Sequence, residues 1–541
     1  MLHVDADAWD AGRSCNVDQP LGYRRGRASD WEVPVRVQRR AIARSGFAAL
    51  SLLSGWACQG EIRLPHMLSQ HAVLQRERPI HIWGWSSPGE AVRIGFHAQT
   101  VLAKANDLGE FSGWLMPERA GGPYTLTVSG SGRDSPVVVG DLLVGDVWFA
   151  SGQSNMEMPL RGFPGQAVVK DAEHEIATSL QPQIRLLRFE HRASDIPVED
   201  VSAVWSTCEP GTAAEFSAVA YFFGRELAER EHVPIGLIDS TWGGTPIDSW
   251  MSLQSIASDA SLMPVFSARS HFAAHQAALD DTIAAEKRED AAARAEKRPL
   301  PQHPWHPDQR SWTPSLLYNG MIAPATSYTI RGFLWYQGET DSSPERSPLY
   351  AKLFPTLIRG WRDSWAEGAL PFLYVQISSF DSPAEIWGDV RDAQRRTLSV
   401  TNTAMAVSLD VGEEKNVHPP DKQTVAHRLA LGARALSYGE AVEWSGPLYR
   451  ETTAEGSSLR VWFDHAGGGL KQSRSITGFE VAGEDGRFVP AEAVVEGESV
   501  AVHAAGVAHP RQVRYGWANV SRANLYNQQG LPASTFLADA P

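Results

Sequence analysis

Between Ile62 and about Val139, hydrophobic and polar residues alternate in short runs: Ile80-His-Ile-Trp-Gly-Trp, Ala91-Val-Arg-Ile-Gly-Phe, Thr125-Leu-Thr-Val and Pro136-Val-Val-Val. Ser-Pro-Gly, Asn-Asp-Leu-Gly and Ser-Gly-Ser-Gly break them apart. A period of two bounded by turn residues marks half-buried strands, so this segment is expected to fold as a small β-sandwich. From Leu142 the pattern changes. Apolar strands are expected at Val144–Ala150, Ile235–Asp239, Ile330–Tyr336, Phe372–Ile377 and Met405–Asp410, separated by longer helical stretches and closed by a helix over Thr424–Leu436. Strands that alternate with helices form a parallel α/β sheet buried on both faces, and five of them suit a flavodoxin-like open sheet. An Ala-rich segment from Ser252 to Lys297 is polar nearly all round and predicts a solvated insertion helix. After Glu440 short β-runs return at Leu459-Arg-Val-Trp-Phe, Val500-Ala-Val-His and Gln512-Val-Arg-Tyr-Gly-Trp. The expected organisation is an upstream tail and leader over 1–60, a β-sandwich over 61–140, an α/β domain over 141–440 with an insertion at about 252–310, and a C-terminal β domain over 441–541.

The first segment carries an export signal inside it rather than at its start. Arg39, Arg40 and Arg44 precede the apolar stretch Gly46 to Cys58, a charged region followed by a hydrophobic one too short to span a bilayer. Cleavage before Cys58 would release a periplasmic or secreted protein. Lipid anchoring at Cys58 fits less well, because Gly55 and Trp56 stand where an attachment site prefers aliphatic and small residues. No second apolar run is long enough for a membrane span. The three cysteines, Cys15, Cys58 and Cys208, lack Cys-x-x-Cys spacing and support neither a disulfide framework nor a structural zinc site. His303 and His306 in the proline-dense stretch after Arg298 invite a metal, yet no carboxylate or thiol nearby completes a ligand set, so none is expected. With 63 acidic and 49 basic residues the chain has a formal charge of −14, which leaves no broad positive field for nucleic acid.

Four constellations carry candidate chemistry, each at the C-terminal end of an expected strand. Ser154 lies in Gly145-Asp-Val-Trp-Phe-Ala-Ser-Gly-Gln-Ser-Asn-Met, where a buried strand runs into a small-residue turn. A serine there faces the crevice in which open α/β sheets bind ligands; it also suits a helix N-cap. Gly243 and Gly244 in Trp242-Gly-Gly-Thr leave backbone amides bare for a reacting carbonyl oxygen, or simply form a turn. Gln337 in Trp335-Tyr-Gln-Gly-Glu could donate to an oxyanion, or cap a helix. His418, fixed by Pro419 and Pro420, is a natural general base for a serine, though a lone loop histidine is also an ordinary surface residue. Their concurrence along one sheet favours the catalytic reading of all four.

Gly152-Gln-Ser-Asn-Met, Trp242-Gly-Gly-Thr, Trp335-Tyr-Gln-Gly-Glu and Val417-His-Pro together resemble the sialate O-acetylesterase family of the SGNH hydrolases, a group of carbohydrate O-acetylesterases. The resemblance extends over about Leu64 to Asp539, including Ala72-Val-Leu-Gln-Arg, Gly121-Gly-Pro-Tyr-Thr and Asn524-Leu-Tyr-Asn. It implies a serine esterase without a cofactor, with Ser154 as nucleophile, His418 as its base, Ser154 N–H, Gly244 N–H and Gln337 as oxyanion donors, and Gln153, Asn155 and Glu339 against the substrate. Gly-Gln-Ser replaces the superfamily's Gly-Asp-Ser, as is common in this family. Lys415 stands where many members carry an acid three residues before the histidine. The group that orients His418 is therefore open among Asp410, Glu413, Glu414 and a backbone carbonyl, with Asp410 favoured because a strand end is rigid. The implied substrate is an acetylated carbohydrate, either a plant cell-wall polysaccharide of xyloglucan or xylan type or sialic acid. A carbohydrate-binding protein without turnover on the same fold is the rival reading; a lipase would need a long apolar acyl channel that the polar insertion does not suggest.

Overall fold

The computed structural model describes residues 61–131, 135–301, 303, 306–471 and 475–541, with the side chains of residues 268–276 outside that description. The export signal, with Cys15 and Cys58, also lies outside the described residues.

The apolar runs from Leu142 onward assemble into the core of an eleven-stranded sheet, in the order Thr403–Val407, Phe372–Gln376, Gly332–Tyr336, Val137–Gly152, Ile235–Thr241, Gln181–Arg188, Trp205–Cys208. Every pair in this series is parallel except the last. Four of the strands are buried at every residue, which is why they read as continuous hydrophobic runs. Phe149, Phe333 and Phe372 stand side by side in register and pack against Trp361 of the helix Ser347–Trp365. Trp148, one residue along, faces the other way, onto Phe223 of the helix Ala218–Glu231. That helix packs against Lys422–Tyr438, whose Gly432 sits over Leu373. Helices thus cover both faces, as a parallel sheet requires.

Two strands go beyond the five expected. Gln181–Arg188 joins the parallel series, and Trp205–Cys208 closes that edge antiparallel. Cys208 on the edge strand is buried, its thiol donating to the Ser179 carbonyl, and burial pushes that thiol up to about 12.

In the N-terminal segment Ile80–Trp85 pairs with Glu110–Leu115, while Ala91–Phe96 pairs with Gln99–Lys104 and Gly121–Gly130. Gly121–Gly130 in turn pairs with the start of Val137–Gly152. That strand runs uninterrupted for 16 residues from the β-region into the α/β sheet, so position 140 falls inside it. After residue 440, two four-stranded antiparallel sheets enclose a separate core around Val461, Val481, Val500 and Phe536. The long insertion helix spans Ser267–Ala295 and is mostly exposed where its side chains are described. Its Glu286 lies 2.9 Å from His306, a carboxylate partner hidden by sequence distance. Among the described residues no group of three or more His, Cys, Asp and Glu is arranged to hold a metal ion, and no helix is long and apolar enough to cross a membrane.

Candidate active site

The central strand Val137–Gly152 has Ile235–Thr241 on one side and Gly332–Tyr336 on the other, and the chain visits these flanks at different times. A crevice opens beyond such a switch point because the loops after the two neighbours diverge. Ser154 stands there as the first residue of a short helix, Ser154–Glu157. The turn before it needs glycine: Gly152 has φ +135°, and a Cβ would lie 2.2 Å from the Tyr336 carbonyl oxygen. Trp242 N–H donates to Gly152 O at 3.1 Å and Gln153 N–H to Tyr336 O at 3.0 Å, tying the three strand ends together.

Ser154 and His418, 264 residues apart, meet here. His418 Nε2 lies 2.7 Å from Ser154 Oγ, and Nδ1 lies 2.6 Å from Gln166 Oε1. An amide oxygen can only accept, so Nδ1 carries the proton, leaving Nε2 of the neutral ring to accept from the serine hydroxyl. Phe163 packs edge-on against the imidazole. Burial, then the nearby Lys422 cation, lowers the His418 pKa to about 4 against an opposing pull from Glu157.

Several expected residues stand elsewhere than the sequence suggested. Asp410, favoured as the orienting acid, is gripped at both oxygens by the Arg428 guanidinium at 2.7 and 2.8 Å, and the position facing His418 Nδ1 belongs to Gln166. Glu413 receives a bond from Asn416, and Glu414 accepts from Asp381 N–H through its backbone. Gln337, expected as an oxyanion donor, is fully buried, with its amide nitrogen committed to Thr245 O and the Asp341 carboxylate. A carboxylate four residues along outcompetes a weaker oxyanion contact for that amide. Asn155, expected against the substrate, is buried as well: its Nδ2 donates to Val417 O and to Glu339 Oε1, and its Oδ1 accepts from Lys422 Nζ. It braces the Ser154–Glu157 helix against the histidine loop. Gln153 and Glu339 do line the cavity, as does Gly244. Burial raises the Glu339 carboxyl and lowers the Lys422 ammonium, each held back by the charge of the other.

Gln166, Glu157, His191 and Lys422 are site residues that sequence reasoning missed. Glu157 accepts from Gly243 N–H at 2.6 Å and lies 3.0 Å from His191, whose ring stacks on Trp242 at 4.3 Å. Lys422, four residues after His418 at the start of a helix, carried a local signal; Gln166 carried none.

The cavity measures about 870 Å³. Phe163, Trp242, Trp312 and Phe380 give it half-buried aromatic walls, and Glu157, Glu339 and Glu385 give it carboxylates. Its Arg346 is paired with both Asp248 and Asp341, and its His191 lies 3.0 Å from Glu157. Flat apolar rings interspersed with hydrogen-bond acceptors suit pyranose rings with hydroxyl groups.

A family model described as carbohydrate esterase, sialic acid-specific acetylesterase matches residues 303–434. The sialate O-acetylesterase of Rattus norvegicus is 30% identical over 446 residues, covering 74% of this chain and 79% of the relative. The Homo sapiens sialate O-acetylesterase is 31% identical over 425 residues, with 71% and 73% covered. The crystal structure of a carbohydrate acetylesterase from Xanthomonas citri superposes with a TM-score of 0.76 at 34% identity, covering 88% of this chain and all of the other. Likeness of this extent, with a serine and a histidine in contact at the switch point of the sheet, makes the chain a member of the sialate O-acetylesterase family, a family of carbohydrate esterases.

Proposed function

We propose that this esterase removes O-acetyl groups from a carbohydrate through an acetyl-enzyme on Ser154. The observation that carries the reading is the 2.7 Å contact between Ser154 Oγ and His418 Nε2. Ser154 Oγ attacks the acetyl carbonyl carbon while its proton passes to Nε2. The oxyanion is met by the Ser154 N–H, which as the first helical residue has no intrahelical acceptor, and by the Gly244 N–H. His418 returns the proton to the departing sugar oxygen as the C–O bond breaks. Water, deprotonated by the same nitrogen, then attacks the acetyl-enzyme and releases acetate, and Ser154 recovers its proton. Gln166 holds the ring with Nδ1 protonated throughout, in the place an aspartate takes in a full triad. No step calls for a metal.

For the substrate, the cavity favours a neutral acetylated sugar of plant cell-wall type over sialic acid. A sugar carboxylate would meet Glu157, Glu339 and Glu385, and Arg346 is already held by two aspartates. The contact between nucleophile and base supports turnover over a binding-only role. The test is acetate release from a panel of acetylated glycans, with Ser154→Ala as control. Equal activity of that variant would sink the mechanism, and preference for acetylated sialic acid would sink the substrate assignment. Export follows the leader in residues 39–57 and is checked by sequencing secreted protein; a mature N-terminus near Cys58 is expected, and one at Met1 would refute it.

A further inference from the structure

Residues 377–386, between the strand Phe372–Gln376 and the helix Trp387–Arg396, contain no helix or strand. This segment brings Phe380 and Glu385 to the cavity wall, with Trp387 behind them. The Trp387 ring lies 5.8 Å from that of Phe380, and its Nε1–H donates to Glu385 at 2.7 Å. Backbone groups outside helices and sheets need partners from elsewhere. Glu414, Ser342, Gln394 and Arg391 each take one of them, and the largest share falls to a residue of the C-terminal region, Asn519. Its Nδ2 donates to Ser382 O at 2.6 Å and to Glu385 O at 2.9 Å; its Oδ1 accepts from Trp387 N–H at 3.1 Å. The Asn519 carbonyl accepts from Phe380 N–H at 3.2 Å. Asn519 is itself anchored by the buried Arg391, which donates to its carbonyl and to those of Gly516 and Ala518. Ser154 and His418 have their own partners, among them Gln166 and Asn416, none of which bonds to Asn519; Asp381 N–H ties the segment to Glu414 of the histidine loop independently of Asn519.

We infer that Asn519 is a positioning residue for a sugar subsite: it fixes the Phe380 wall so that the ring stacks on a pyranose unit of the glycan. Through it the C-terminal β region takes part in substrate binding while contributing no reacting group. The inference rests on the carbohydrate esterase reading above.

The experiment compares kcat and KM of wild type, Asn519→Ala and Phe380→Ala on an acetylated neutral oligosaccharide and on a small chromogenic acetate that is too short to reach Phe380. Freeing the wall should raise KM for the oligosaccharide about tenfold, the size of a lost stacking contact. In Asn519→Ala the small acetate should be turned over within about twofold of wild type, because its chemistry depends on Ser154 and His418. Phe380→Ala should reproduce the effect without disturbing the bonds of Asn519, and the double variant should be no worse than either single one. An unchanged oligosaccharide KM in Phe380→Ala overturns the subsite, even if Asn519→Ala does not fold. Equal losses on both substrates in Asn519→Ala make its role merely structural and overturn the inference. A wild type active on both substrates with either result leaves the esterase reading standing; a wild type inactive on both brings down the two together.

Discussion

The orientation of His418 offers the sharpest test of the site. Two substitutions separate the group the structure shows from the one sequence reasoning favours: Gln166→Ala and Asp410→Asn. In a full triad, losing the carboxylate behind the histidine costs about four orders of magnitude in kcat. Gln166 is a neutral amide on an exposed loop, and a hydrogen bond of that kind is worth about 0.5–1.5 kcal/mol, or roughly two- to thirteenfold in rate. Gln166→Ala should therefore lower kcat/KM on a small acetate ester about tenfold at most. Asp410→Asn should leave kcat within about twofold, because its carboxylate is bound by Arg428 rather than by the imidazole. Its cost falls on stability instead: loss of a bidentate charge-assisted pair beside a buried arginine should amount to about 1–3 kcal/mol, read as a lower melting temperature. Gln166→Glu would put a carboxylate on Nδ1 and favour the imidazolium, raising the His418 pKa from about 4 and increasing kcat near neutral pH. A kcat fallen by orders of magnitude in Asp410→Asn, with Gln166→Ala at wild-type rate, would refute this account of the base.

Because His418 must be neutral to accept the serine proton and its pKa is held near 4, kcat/KM should stay high as the pH is lowered past 6.5 and decline only as it passes through about 4; a limb near 6.5 would contradict the buried environment of the ring. Lys422→Met removes the cation that helps depress that pKa, so the acidic limb of kcat/KM should move to higher pH; an unmoved limb would show that Lys422 has no electrostatic hold on His418. Asn155→Ala cuts the brace between the Ser154–Glu157 helix and Val417, so kcat on a small ester should fall about tenfold or more with KM little changed, and a rise in KM alone would return Asn155 to substrate binding.

Legibility in the sequence followed burial. Val144–Ala150, Ile235–Asp239 and Phe372–Ile377 could be read because a parallel strand covered on both faces must be apolar at every position, whereas Gln181–Arg188 carries a proline and two arginines and was missed. Its Arg185 is buried nonetheless, paired with Asp141, a partner 44 residues away. The meeting of Ser154 with His418 could be expected because each sits at a strand end or in the loop just after one, where the fold itself dictates the address. The group behind the base could not, since Gln166 lies in a loop with no periodic pattern and meets His418 across 252 residues.

Two amides that the structure turns away from the cavity, Gln337 and Asn155, show what decides such placements. Gln337 and Asn155 both stand directly after strands at the crevice, and position alone made both look like groups for the reacting carbonyl or the sugar. Each instead has a charged group within reach: Asp341 takes the Gln337 amide, and Glu339 with Lys422 takes both ends of Asn155. A hydrogen bond to a buried charge is roughly twice as strong as one between neutral groups, and leaving that charge unpaired in the interior costs still more. The amides are drawn inward for that reason, while Ser154 and Gly244 stay at the cavity wall. The Asp341 signal was present in the sequence, four residues after Gln337; Lys422 lies 267 residues from Asn155, and only the folded sheet brings the two together.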